Sequence, residues 1–549
     1  MRKFWLGATA IVVVAKMLSA MPIASARAQT AAAGWPHTVA MGQASVTVYQ
    51  PQAMAWPDQK RLTARAALAI TPQGATAPVL GTIELTVATT VDLATRIVAI
   101  SDPQVLSTHF PTLDTAHASR IDAQVRAAVP TMQTRAVKLD SLLLSLKQGA
   151  ETKPVAVNND PPAIFYSASP ASLVVFDGDP VMAPVGNTGL TFAVNTNWDV
   201  FSDGAAWYLL NGSTWFSASA PTGPYKPISK LPASFNAIPN DKNFAEARKA
   251  IPARAPNPAS IPTIIVSTKP AEIIVTAGPP QFVPVPGTGL QVVKNTASDL
   301  FLDPAQGRFY FLVSGRWFSG SGLDGPWTFA TGDLPPDFAM IQPDGAQGHV
   351  LASVPNTAQA QAAVLQAQIP QQATLQRSSA KLTVAYVGTP RFAPIPNTPI
   401  QYATNTTTQL LEIEGRYYAC HQGAWFVSTS PTGPWVLADS VPSVVYTIPP
   451  SSPMYAVTYV TVRSSTPATV AYAYTAGYLM GFVTAGVLVY GTGYYYPPVV
   501  IPGRVPAYLS AIPSFFFSCD SKAVGLDAKS PRHLQREAGP TDRVIPRVT

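Results

Sequence analysis

Charged residues and cysteines are scarce in this chain. Only 12% of its 549 residues are Asp, Glu, Lys or Arg, and its two cysteines are Cys420 and Cys519. Typical soluble domains contain about 25% charged residues. Two cysteines cannot form the disulfide framework that stabilises small secreted domains. The 55 prolines favour short strands and extended connections over long helices.

The body of the chain also has no excess of positive charge. The net charge of +7 comes from the two ends, because residues 1–28 contain four Lys or Arg and no acid, and residues 502–549 contain seven bases and four acids. Between them, residues 29–501 carry 25 bases and 25 acids. Without a basic patch, the sequence argues against nucleic-acid binding.

Residues typical of a catalytic or metal site do not form a recurring pattern. The six histidines are scattered without metal-ligand spacing: His37, His109, His117, His349, His421 and His533. Cys420 and His421 are adjacent, so on a strand their side chains point to opposite faces. The pairs Asp199/Asp203 and Asp299/Asp303 have no acidic counterpart in a third copy, which favours turn-forming aspartates. The sequence therefore predicts no enzyme, no metal and no cofactor.

Aromatic residues, by contrast, recur in a threefold repeat without gaps. Each copy contains an aromatic-Tyr pair, a Trp-Phe pair seven residues after that Tyr, and Gly-Pro-aromatic eight residues after the Trp. The Trp-Phe pairs are Trp215-Phe216, Trp317-Phe318 and Trp425-Phe426. An internal repeat of about a hundred residues predicts tandem units of small-domain size.

The Trp-Phe segment has the pattern of a β-hairpin. Asn211-Gly212 in the first copy is a strong turn signal, while Ser314-Gly315 and Gln422-Gly423 lie one position nearer the Trp and leave the register open. Strand alternation places Trp and Phe on opposite faces of the sheet. Either both faces are buried, or one face forms an aromatic platform on which a sugar ring stacks. The candidate platform residues are Tyr208, Trp215, Tyr225, Tyr310, Trp317, Trp327, Tyr418, Trp425 and Trp435.

The fold class expected is mainly β with short helices. We predict an N-terminal α+β domain, three tandem β-rich repeats of about a hundred residues, and a Gly/Tyr-rich β segment. The predicted boundaries are a signal peptide at 1–28, the N-terminal domain at 29–150, repeats at 151–252, 253–370 and 371–462, the Gly/Tyr-rich segment at 463–501, and a disordered tail at 502–549.

The first 28 residues have the pattern of a secretory signal. Arg2-Lys3 precede an apolar run, and Ala26-Arg27-Ala28 supplies small residues for cleavage. Lys16 interrupts the apolar region, so the alternatives are an uncleaved anchor and a non-standard signal. We expect export, which N-terminal sequencing of the exported protein would test.

The Gly/Tyr-rich segment allows two interpretations. Residues 468–490 are uncharged and long enough to cross a bilayer, and Gly477 and Gly481 form a G-x-x-x-G pair. However, Tyr472 and Tyr474 alternate with alanine, and glycines punctuate the run. A β meander is favoured over a membrane span.

The chain resembles a group of uncharacterised bacterial envelope proteins labelled carbohydrate-binding family V/XII. The matching features are Tyr49-Gln50-Pro51-Gln52 with Trp56, the run 61–67, the three aromatic units and Tyr490-Gly491-Thr492-Gly493-Tyr494. The resemblance covers residues 40–500 and implies an exported glycan-binding protein. Members of this group continue past the Tyr-Gly-Thr-Gly-Tyr motif into a Tyr/Gly-rich region. In this chain, the residues after the motif have a different composition.

These observations predict a secreted, non-catalytic envelope protein, periplasmic, extracellular or associated with the outer envelope. Its expected partner is a polysaccharide or cell-wall glycan bound through the repeated aromatics. The alternative is a structural or protein-interaction component whose aromatics form the core. A glycan-active enzyme is the weakest reading, because no acid/base pair recurs in every unit.

Overall fold

The structure is a computed structural model that is mainly β with short helices, as predicted. It describes residues 36–41, 44–72, 74, 78–129, 135–139, 142, 143, 146, 157–176, 178–240, 244–256, 258, 261–386 and 388–495. The predicted signal at 1–28 and the tail at 502–549 lie outside these residues.

The N-terminal part is an antiparallel sheet with a helix on one face, in agreement with the α+β expectation. The strands follow the order β1-β2-β4-β5-β6-β7, and β3 also pairs with β4. Helix α1 (Thr115–Ala128) begins where the Asp114 carboxylate accepts the His117 N–H at 2.9 Å. The strands β1 to β7 are His37–Met41, Ala44–Val48, Gln52–Ala55, Arg61–Pro72, Val79–Asp92, Ile97–His109 and Arg135–Lys138.

Apolar residues on both faces of this sheet are buried. Ile83 and Phe110 lie in one cluster, against which Ile121 of α1 packs. Leu62 and Val98 lie in a second cluster. The long strands therefore carry buried apolar residues on both faces and alternate only in part.

Each of the three repeats folds into a six-stranded antiparallel meander, which we call units 1, 2 and 3. Strands β10 to β15 of unit 1 are Met182–Pro184, Thr191–Ala193, Asp199–Ser202, Trp207–Asn211, Thr214–Ala218 and Lys226–Ile228. Strands β18 to β23 of unit 2 are Phe282–Pro284, Gln291–Val293, Leu300–Asp303, Arg308–Val313, Arg316–Gly320 and Trp327–Phe329. Strands β25 to β30 of unit 3 are Phe392–Pro394, Gln401–Ala403, Gln409–Ile413, Arg416–His421, Ala424–Ser428 and Val436–Leu437.

Short helices follow the sheet of each unit and cover one of its faces. The α-helices are α2 (Ala245–Lys249) after unit 1 and α3 (Ala358–Gln368) after unit 2. Phe235 and Phe338, on 3₁₀ helices, are fully buried in the cores of units 1 and 2. The 3₁₀ helices are Ala233–Ala237, Thr331–Asp333, Pro336–Met340, Gly348–Ser353, Ser443–Thr447, Tyr455–Tyr459 and Ala476–Leu479.

Units 1 and 2 are joined by an exchange of strands that the sequence did not predict. Strands β8 (Ala163–Ser167) and β9 (Ala171–Val175) precede unit 1, and β16 (Thr263–Ser267) and β17 (Ala271–Val275) precede unit 2. Parallel pairing joins β8 to β17 and β9 to β16, so each unit's first strand pairs with the other unit's second strand. The pairing is reciprocal, as in an interface related by a twofold axis.

The exchanged strands complete the cores of the units that they join. Ile264 and Val266 of β16 pack in the core of unit 1. Ile164 and Tyr166 of β8 pack in the core of unit 2. Neither unit therefore buries its second sheet face with its own residues alone.

The Gly/Tyr-rich segment consists of short strands, in agreement with the favoured meander. Strand β24 (Gln371–Gln376) pairs with β32 (Thr469–Tyr474), which also pairs with β31 (Val460–Ser465). Strands β33 (Gly481–Thr484) and β34 (Val487–Tyr490) form a hairpin that we call the C-terminal hairpin. Within the described part of the chain, no helix has the length and hydropathy needed to span a membrane.

Candidate functional site

The Trp-Phe hairpins have the same register in all three units. Leu210 pairs with Trp215, Leu312 with Trp317 and Cys420 with Trp425. The two-residue turns are therefore 212–213, 314–315 and 422–423, and each turn ends two residues before the Trp of its unit. Positive φ angles at Ser314 and Gln422, as well as at the glycines, allow the tight reversal. The register that the sequence left open is thus common to the three units.

The repeated tryptophans are core residues that lock the end of each unit. Their indole N–H groups donate to the backbone carbonyl of a residue 35 or 36 positions further along the chain. The bonds join Trp215 to Ala250 at 2.9 Å, Trp317 to Ser353 at 3.0 Å and Trp425 to Val460 at 3.0 Å. All three rings are completely buried. A buried indole needs such a partner, so the tryptophan ties the closing segment to the sheet.

The paired phenylalanines fill the opposite face of the same sheet. Phe216 lies in the cluster that receives Ile264 and Val266 from β16, and Phe318 lies in the equivalent cluster of unit 2. Because Trp and Phe alternate on one strand, the sheet carries a core on each side. The exchanged strands supply the cover that a small unit by itself lacks.

The Gly-Pro-aromatic segment is a turn that returns the chain to the sheet. The Gly-Pro peptide is cis in all three units, and its glycine has a positive φ. A Cβ at Gly325 would lie 2.9 Å from the ring of Trp327. The residues that follow the turn form the sixth strand of each unit: β15, β23 and β30.

The nine residues predicted as a stacking platform are all buried, and none of them is more than 8% exposed. Burial, together with the hydrogen bond to Asp203, raises the pKa of Tyr208 to about 12. An exposed platform made of these nine rings is therefore not what the structure contains. The alternative, burial on both faces, is the observed arrangement. In units 1 and 2, 3₁₀ helices cover one face and exchanged strands cover the other.

A different set of rings, in units 2 and 3, is partly exposed and lies outside the nine predicted platform residues. Phe282, 39% exposed, lies 6.2 Å from half-buried Phe309 in unit 2. Phe392 and Tyr417 occupy the same positions in unit 3, with ring centroids 5.6 Å apart. The first aromatic of each aromatic-Tyr pair was the available signal, since it faces away from the buried Tyr.

Cys420 and Asp203, which were considered for catalysis, are engaged in the core and in a turn. Cys420 is buried, and burial raises the pKa of its thiol. The Asp203 carboxylate accepts the Ala206 N–H at 2.8 Å and the Tyr208 hydroxyl at 2.9 Å, which fits the turn-forming role expected of it. Among the described residues, no three His, Cys, Asp or Glu side chains cluster as metal ligands do.

A buried arginine fastens the C-terminal hairpin to unit 2. The guanidinium of Arg316 donates to the carbonyls of Tyr490 and Gly491 at 2.8 and 2.7 Å, and to the Asn159 side chain at 3.2 Å. The Arg316 side chain is fully buried. Gly493 packs so closely that an added Cβ would lie 1.8 Å from the Asn158 carbonyl oxygen. The Tyr-Gly-Thr-Gly-Tyr motif is therefore a docking segment within the chain.

Comparisons with protein-family models, curated proteins and solved structures yield no match. The resemblance to the carbohydrate-binding family V/XII label thus remains an expectation from the sequence.

Proposed function

We propose that this chain is a non-catalytic structural component of the bacterial envelope, which presents a rigid multi-unit surface to other envelope proteins. The observation that carries the proposal is the threefold use of the repeated aromatics as internal locks. Each Trp ties the end of its unit to the sheet, and strand exchange joins units 1 and 2. These contacts hold units 1 and 2 in a fixed relative position, which suits a scaffold.

The chain also returns on itself in a way that supports this role. The C-terminal hairpin is bound to unit 2 through Arg316, and β32 pairs with β24 at the start of unit 3. Helix α3 is adjacent to the N-terminal sheet, since Ile369, just after the helix, packs with Tyr49 and Ala69. Contacts between distant parts of the sequence limit the relative motion of the units.

Polysaccharide binding is the second candidate, favoured by the partly exposed pairs Phe282/Phe309 and Phe392/Tyr417. Aromatic rings at a wet surface suit stacking on the apolar face of a sugar. Similar pairs on two units would add avidity if one polymer reached both. This site differs from the nine buried rings and is open to separate mutation.

Both candidates are tested with one purified protein. A scaffold should retain specific proteins from a solubilised envelope fraction and migrate normally in native gels containing envelope polysaccharides. Glycan binding would be established instead if a polysaccharide retarded the wild-type protein in the gel and the Phe282→Ala and Phe309→Ala variants were not retarded. Both variants should keep the melting temperature of the wild type. Phe301→Leu, a change in the core, is the control for nonspecific loss of structure.

A further inference from the structure

Arg463 is a largely buried arginine whose charge has no partner among the described residues. It lies on β31, and its Nε–H is completely buried without a hydrogen-bond acceptor. Within the described chain, no carboxylate balances its charge, and Tyr446 is the titratable group that acts on it. Burial lowers the pKa of Arg463 to about 10, and the Tyr446 phenol opposes this shift. The guanidinium therefore stays charged at neutral pH, and the described residues do not compensate its removal from water.

Other buried arginines of the chain have acceptors. The guanidinium of Arg316 donates to two backbone carbonyls. Arg377, with a side chain 27% exposed, forms an ion pair with Asp439 and donates to the Ser465 hydroxyl at 2.7 Å. A buried charge normally has such partners, because its removal from water is costly. Arg463 departs from this pattern.

A β-bulge directs the Arg463 side chain. Strand β31 stands last in the order β24-β32-β31. Its register with β32 shifts between Val462 and Ser464, so Arg463 is the extra residue of the bulge. A bulge re-aims a side chain, and bulges are frequent at sheet edges and beside functional sites. The backbone, rather than a partner for its charge, therefore holds Arg463 at the edge of this sheet.

Exposed groups lie beside the guanidinium. Ser464 and Ser465 follow Arg463 in the chain and are exposed. Tyr446, on a 3₁₀ helix after unit 3, is 39% exposed, and its hydroxyl donates to the Val460 carbonyl of β31 at 3.4 Å. Val460 itself is buried in the core of unit 3. One end of β31 is thus fixed in that core, and Arg463 lies where the strand reaches the surface.

The charge and the shape of the site favour a carboxylate. One guanidinium balances one negative charge, and its planar fork matches the two oxygens of a carboxylate. A phosphate monoester carries a charge of about −1.5 to −2 at neutral pH and is typically held by several arginines. Among the described residues, no Lys, Arg or His charge adds to that of Arg463. A carboxylate is therefore the anion whose charge the site matches.

We propose that Arg463 binds a single carboxylate, which an acidic side chain of a partner envelope protein supplies. The carboxylate accepts hydrogen bonds from the guanidinium and neutralises its charge at the edge of β31. A charge that lacks a partner in the free protein and gains one in the complex destabilises the former and favours the latter. The assignment of the carboxylate to a protein rests on the proposed function, whereas the site itself does not.

Nuclear magnetic resonance of the full chain labelled with ¹⁵N-arginine tests the site. The Arg463 Nε–H resonance is assigned by its loss in Arg463→Gln. We expect acetate, added at constant ionic strength, to shift this resonance saturably, and inorganic phosphate to act with lower affinity. Arg416→Gln, at an exposed arginine of β28, loses the same charge and should keep the response. The proposal is overturned if acetate does not shift the Arg463 resonance or if phosphate binds more tightly than acetate.

Two model ligands identify the source of the carboxylate. A blocked Gly-Glu-Gly peptide should bind at Arg463 at least as tightly as glucuronate, and the matched Gly-Gln-Gly peptide should not bind. Tighter binding of glucuronate would assign the site to an acidic polysaccharide and overturn the protein partner. Failure of the proposed function gives a different result, because the wild-type chain then retains no specific envelope protein while Arg463 still responds to acetate.

The stability of Arg463 variants gives an independent readout. Arg463→Met replaces the unpaired charge by an apolar side chain and should raise the urea midpoint of unfolding. Arg316→Met, which removes a guanidinium that has acceptors, should lower the midpoint. Acetate at constant ionic strength should raise the midpoint of the wild type more than that of Arg463→Met. A lower midpoint for Arg463→Met than for the wild type would show that the guanidinium has a structural partner, contrary to the proposal.

Discussion

Glu272 makes the stability of this protein depend on pH. It lies on β17, opposite Ile164 of the exchanged strand β8, and only 4% of the residue is exposed. Unit 1 has Ser172 at this position and unit 3 has Leu382, so a carboxyl group is peculiar to unit 2. Burial raises the pKa of Glu272 from 4.5 to about 8, although the Ile273 N–H opposes the shift.

The direction and size of the effect follow from this shift. Because the folded state holds the proton more tightly than the unfolded state, stability falls as pH rises from 4.5 to about 8 and then levels off. A shift of this size corresponds to about 5 kcal/mol above pH 8 and about 3 kcal/mol at pH 7. Glu272→Gln keeps the shape of the side chain and removes the ionisation.

The assay is urea unfolding followed by tryptophan fluorescence at several pH values between 5 and 8. Between these limits, the wild type should lose about 3 kcal/mol of unfolding free energy relative to Glu272→Gln. Glu246→Gln, at a half-exposed glutamate on α2, serves as the control and should follow the wild type. Parallel curves for the wild type and Glu272→Gln would refute the reasoning.

Three further predictions concern the internal locks. Trp317→Phe keeps an aromatic ring but leaves the Ser353 carbonyl without its donor, so it should lower the unfolding free energy by about 2 kcal/mol. In the same denaturation assay, Trp317→Ala should lower the unfolding free energy by about 3–5 kcal/mol. Arg316→Met should lower the unfolding free energy by about 3 kcal/mol, because two buried carbonyls lose a charged donor. Limited proteolysis should then release the C-terminal hairpin. Unchanged cleavage would argue against the lock. Gly493→Ala should release the C-terminal hairpin as well, because the added Cβ meets Asn158 and the φ angle of Gly493 is +82°. Gly486→Ala is the control that separates backbone strain from the steric clash, because the φ angle of Gly486 is also positive but no atom lies within 4 Å of an added Cβ.

The aromatic repeat could be predicted from sequence in its position but not in its exposure. Spacing identified the hairpins, and strand alternation placed Trp317 and Phe318 on opposite faces. Whether those faces meet solvent depends on what covers them. The covering residues are Phe338, Ile164 and Tyr166, and the last two are about 150 residues away in the chain.

Local periodicity and the positions of glycine and proline are enough to predict the β character and the three repeated units. Contacts between distant segments set the exchange of β8 and β16, the pairing of β24 with β32 and the contact of Arg316 with Gly491. An apolar strand such as 264–266 carries no local mark of its partner, since any open edge of suitable register satisfies its backbone. The choice among edges, and with it the burial of the nine rings, is made by packing between distant segments.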